Sequence, residues 1–145
     1  MNVDIEVVRW AAVLHDVGRV SDGIDKGQGE RSGEWISQNR IIISLNLNES
    51  QFEQLSYCCQ WHETSDNEIP QLTNELKCLK DADGLDRVRI NDLNPNLLRT
   101  SAARELVKPA WDLYRVSEFV KDPWTAVWEA TEASAWWHPP VPCKK

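Results

Sequence analysis

The residues best suited to chemistry lie in the run Ala11-Ala12-Val13-Leu14-His15-Asp16-Val17-Gly18-Arg19. An apolar helical stretch delivers an imidazole and a carboxylate side by side, and a glycine follows. Neighbouring helical residues point about 100° apart yet sit at nearly the same height on the axis. One ion against the helix flank is therefore within reach of both His15 and Asp16. Nitrogen beside carboxylate oxygen is a mixed donor set suited to Mn, Fe or Zn. Taken alone, the pair is common, and a histidine simply held by its neighbour is the default. Its weight depends on which further donors the rest of the chain supplies.

Helical spacing predicts where those donors come from. Asp4 is a candidate N-cap for a first helix, with Glu6 in the first turn. In that helix Ile5, Val8, Ala12 and His15 share one face. Gly18 reads as the left-handed residue that stops it. Ser21 to Gly29 is a polar loop, and a second helix is expected over about 30–45. Asn48 with Gln51 forms a capping-box signature, and Phe52, Leu55, Cys59 and His62 then follow at core spacing. After a loop over 64–70, a helix over about 74–88 places Leu76, Leu79 and Asp83 on one face. A carboxylate in line with core leucines is costly unless something holds it in its charged form. Thr100 should cap a long helix that Pro109 kinks or breaks. Asp122 and Pro123 should open a last one. Ile41-Ile42-Ile43 at the end of the second helix would also suit a strand, but nothing builds a sheet, so the predicted class is all-α, a compact multi-helix bundle. A single domain is expected over 1–137, with a proline-rich tail over 138–145.

Composition narrows the function. The 145 residues carry a formal net charge of -7, which argues against a grip on duplex nucleic acid, where clustered Lys and Arg are needed. No apolar run approaches the ~20 residues that span a bilayer, and Met1-Asn2-Val3-Asp4 lacks a basic leader. The four cysteines show neither a disulfide framework nor zinc-site spacing and read as free thiols of a cytoplasmic protein. Cys58 and Cys59, adjacent on a helix, should point to different sides. Arg19, Arg87 and Arg89 could fork onto phosphate oxygens, with Lys80 a weaker candidate. Each also suits a plain salt bridge. Trp124, Trp128, Trp136 and Trp137 suit a core or an assembly seam. His138, among prolines, carries no expected role.

Taken together, the HD run at 12–18, the helix ending Gln60-Trp61-His62-Glu63 and the run Asp81-Ala82-Asp83-Gly84-Leu85-Asp86 resemble the HD-domain superfamily of metal-dependent phosphohydrolases. The resemblance covers roughly residues 4–115. It implies that His15, Asp16 and Asp83 bind one divalent metal (Mn, Fe or Zn, with Mg an alternative). Asp16 and His62 would serve catalysis, and Arg19 and Arg87 would hold a small phosphorylated substrate, a nucleotide above all. Asp81 and Asp86 match supporting positions. Two departures stand out: the family's upstream metal-binding histidine has no counterpart before His15, and its second-helix His-Gly pair reads Gln28-Gly29. The expectation is thus a mononuclear or impaired site on a shortened N-terminus, with a second copy of the chain covering Ile5, Val8 and Ala12. An HD-like module that binds a nucleotide or a protein partner without turnover is the alternative, and a purely structural helical domain is a third.

Overall fold

A computed structural model describes residues 2–40 and 46–118. Six α-helices and two short 3-10 turns occur among them, with no strand. The helices are α1 (Ile5–Leu14), α2 (Gln28–Gln38), α3 (Glu49–Trp61), α4 (Asn74–Asp86), α5 (Ser101–Glu105) and α6 (Val107–Glu118). The 3-10 turns are Arg87–Ile90 and Pro95–Leu97. None of these helices is long and apolar enough to cross a membrane. The helix expected from Asp122, the four C-terminal tryptophans, the tail from His138 and the segment over 41–45 lie outside the described residues.

Local capping works as the sequence implies. Asp4 accepts from the amides of Glu6 and Val7 at the start of α1, and Asn48 and Gln51 complete the capping box of α3. Thr73 and Thr100 cap α4 and α5 in the same way. These side chains satisfy backbone N–H groups that have no partner within the first turn. The long helix predicted after Thr100 is broken at Leu106 into α5 and α6. Pro109, which has no N–H to offer the carbonyl four residues back, falls in the first turn of α6, where that loss costs least.

The core is built where α1 lies against α3 and α4 while α2 packs on α3. It comprises Val7, Ala11, Ile36, Phe52, Leu55, Cys58, Cys59, Ile69, Leu76 and Leu79. The inward face of α1 is Val7–Ala11, and Ile5 is 60% exposed. This helix is apolar nearly all round, so periodicity offers two stripes and only the packing of α3 and α4 selects one. Cys58 and Cys59 are both fully buried and turn to different sides, Cys59 toward the Ala11 carbonyl of α1 and Cys58 toward Thr73 at the start of α4; burial pushes the Cys58 thiol up to about 12, which leaves it inert. Gly18 does not take the left-handed conformation; among the described residues the glycine that does is Gly27, at φ 82°. Gly18 is demanded instead by a close approach, since a Cβ there would lie 2.5 Å from the Ser32 amide nitrogen.

Candidate metal centre

Four elements bring the site together. α1 ends at Leu14, and His15 and Asp16 occupy the turn that follows, with His15 still in helical conformation. His62 is the C-cap of α3 and is buried. Gln28 opens α2 and is also buried. α4 lies alongside, with Lys80 buried and Asp83 exposed.

The two imidazoles are oriented alike. His15 Nδ1 lies 3.0 Å from the Ala12 carbonyl oxygen, and His62 Nδ1 lies 2.7 Å from that of Cys59. A carbonyl only accepts, so each Nδ1 carries the proton and each neutral ring keeps a lone pair on Nε2. Those lone pairs converge: His15 Nε2 is 3.5 Å from Asp16 Oδ1, and His62 Nε2 is 3.6 Å from the same oxygen. The rings meet edge to face at 5.0 Å between centroids. Burial pushes the His62 imidazole below its ordinary value, with the backbone bond to Cys59 opposing. His62 is thus a neutral donor at neutral pH.

Three acceptors facing one another across a short gap offer a cation a donor set. Donor atoms of His15, Asp16 and His62 all lie within 4.8 Å of one another. Ligands about 2.1 Å from a tetrahedral ion stand roughly 3.4 Å apart, close to the spacings here. Each ring also donates its other N–H to a backbone carbonyl, the outer-shell arrangement that orients metal-binding histidines. The donor set therefore fits one divalent transition ion.

The remaining predicted residues are placed as follows. Asp83 continues the face of Leu76 and Leu79, but it falls in the last turn of α4, past the end of the core. Its exposed side chain is outside the His15–Asp16–His62 group and lines a cavity of about 490 Å³ that His62 also lines. Arg87 lines the same cavity and is paired with Asp92. Arg19 is paired with Asp16 Oδ2 at 3.0 Å, and Arg89 with Asp86 at 2.6 Å. Asp81 is buried and accepts from the Arg99 amide and from the amide and hydroxyl of Thr100, the supporting role its position implied.

Gln28 and Lys80 have roles that sequence reasoning missed. Gln28 Nε2 donates to Asp16 Oδ1, so the neutral amide in place of an imidazole orients the carboxylate instead of joining the donor set. Lys80 Nζ donates to the carbonyls of His62 and Thr64 and pairs with Asp66 at 3.3 Å. Neither leaves a local signal, because each depends on the packing of two helices distant in sequence. Gly29 does leave one: a Cβ there would press on the Gln60 carbonyl, and only glycine lets α2 approach α3 closely enough to seat Gln28.

Neither the curated proteins nor the solved structures contain a match to this chain. The HD domain family model matches residues 1–88, more than half of its length. That match spans His15, Asp16, His62 and Asp83 alike, and with the all-helical fold it places the chain in the HD domain family, whose members are generally metal-dependent hydrolases.

Proposed function

We propose that this chain is a metal-dependent phosphohydrolase that cleaves a nucleotide or another small phosphate ester. The observation that carries the reading is the convergence of His15 Nε2, His62 Nε2 and Asp16 Oδ1 on one point. A divalent ion bound there would supply Lewis-acid polarisation of a phosphoryl oxygen and lower the pKa of a water. His15 and His62 would hold the ion through Nε2, which makes His62 a ligand in this reading rather than a proton donor. Asp16 supplies the negative donor, fixed from one side by Gln28 and from the other by Arg19. Asp83 and Arg87 border the substrate space beside His62.

The test is metal analysis of protein purified without added metal, combined with turnover of p-nitrophenyl phosphate and bis-p-nitrophenyl phosphate. Close to one transition ion per chain and metal-dependent release of p-nitrophenol support the reading. Turnover that persists after His15→Ala would overturn it. A module that binds without turnover is the second reading, favoured by the engagement of both Asp16 oxygens by neighbouring side chains. Stoichiometric metal with no turnover of either ester would select it.

A further inference from the structure

The cavity beside the candidate centre is charged, but its cations are already paired. Its ionisable lining consists of Glu63, Lys80, Asp83, Arg87, Asp92 and Arg99, besides His62. Three are cations and three are carboxylates, and the cations are already taken. Arg87 Nε lies 3.1 Å from Asp92 Oδ2, with a second nitrogen on the same oxygen. Arg99 forms a two-pronged bridge to Asp66, both contacts at 2.8 Å. Lys80 is spent on two carbonyls and Asp66. Arg19, on the far side of Asp16, is likewise paired. Past Glu63, Thr64 and Ser65 the neighbouring cleft, about 710 Å³, adds Asp25, Glu30 and Glu68 against a single Lys26.

A chain of phosphates carries a negative charge per group, which a divalent ion from solution offsets only in part, and unpaired protein cations must hold the rest. Here each extra phosphate would have to break an existing ion pair or lie against carboxylates. One phosphate, by contrast, needs only the ion itself. The space left beside it is of the size that small-molecule sites occupy. It is lined by Thr64, Ser65, Asn94, the paired cations and the carboxylates Glu63 and Asp83, with Leu97 and Leu98, which suits an uncharged compound rich in hydroxyl groups.

We propose that the substrate is a monophosphate ester of an uncharged polar alcohol, a sugar or nucleoside monophosphate, and that the paired cavity excludes polyphosphates. The proposal rests on the phosphohydrolase reading for the position of the phosphate, and selectivity among ligands can be read without turnover. Equilibrium dialysis of AMP, ribose 5-phosphate and ATP, with Mn²⁺ in excess over total ligand, measures it directly. AMP and ribose 5-phosphate should bind about tenfold or more tightly than ATP, a difference of ~1.4 kcal/mol. Asp92→Asn, which frees Arg87 at an exposed pair, should narrow that gap severalfold by strengthening ATP alone. ATP binding as tightly as AMP in the unaltered chain would overturn the proposal, as would an unchanged gap in Asp92→Asn or no binding of either monophosphate. AMP preferred but never hydrolysed would support the selectivity and sink the hydrolase reading. Hydrolysis of ATP at least as efficient as that of AMP would do the reverse.

Discussion

The ammonium group of Lys80 on α4 lies 3.0 Å from the carbonyl oxygen of His62, the residue that closes α3. A cation at a helix C-terminus satisfies carbonyls that the helix itself leaves without partners. It also fixes the height at which the His62 ring meets His15. Burial pushes the Lys80 amine below its ordinary value, so this clamp is held at a desolvation cost that its two carbonyls and Asp66 offset. Lys80→Met should leave those carbonyls without a donor, at a cost on the order of 1–3 kcal/mol, read as a lower urea midpoint. Metal affinity should fall with it. A variant with unchanged midpoint and unchanged affinity would show that the clamp holds nothing.

The metal assignment separates into two tests. His15→Ala, Asp16→Ala and His62→Ala should each lose bound metal while remaining helical by circular dichroism. Asp83→Asn should retain most of it, since Asp83 stands outside the group; loss as complete as in His15→Ala would make Asp83 a ligand, as the sequence resemblance implies. A chelator should lower the melting temperature of the unaltered chain but not that of His15→Ala. Metal at a hundredfold excess over its Kd stabilises by about 2.7 kcal/mol, so the shift is measurable.

How much of this was legible in the sequence divides along a physical line. Features set within a few residues were readable: the Asp4 and Asn48 caps, the core stripe of α3 ending in His62, and the pairing of His15 with Asp16. Features decided between helices were not. Nothing near Gln28 says that its amide turns toward Asp16, and nothing near Lys80 says that it closes α3. The inward stripe of α1 was not readable either, because an almost wholly apolar helix fits more than one period. The exposure of Asp83 was unreadable for another reason: helical phase gives a direction but not the point where the core ends.

Acid should loosen the loop after His62 in a specific window. Hydrogen bonding from Arg99 holds the Asp66 carboxyl below its ordinary value of 3.8. A depressed acid contributes stability that is present above its unfolded value and lost as pH falls through its folded one. The contribution should therefore be intact at pH 5 and fade below about 3.9. Asp66 is 39% exposed at its side chain, so solvent screening keeps the effect small. Asp66→Asn should flatten the acid limb of a stability-against-pH curve while the slope above pH 5 stays as it was. Identical acid limbs would dissociate Asp66 from the loop's stability.

Gly29 offers the sharpest test of how the fold positions the site. A Cβ on Gly29 would sit 3.2 Å from the Cys59 carbonyl oxygen and nearer still to that of Gln60, both backbone atoms of α3 that cannot swing away. The Gly29 amide meanwhile donates to Glu63 Oε2 at 3.2 Å, tying the start of α2 to the residue after His62. Gly29→Ala must push α2 off α3, a strain on the order of 1–3 kcal/mol for overpacking. The shift also carries Gln28 away from Asp16. Stability and metal affinity should consequently fall together, whereas Gln28→Ala should weaken metal binding with a smaller loss of stability. If Gly29→Ala instead melts like the unaltered chain and holds metal equally well, close approach of the two helices is not what seats the Gln28 amide.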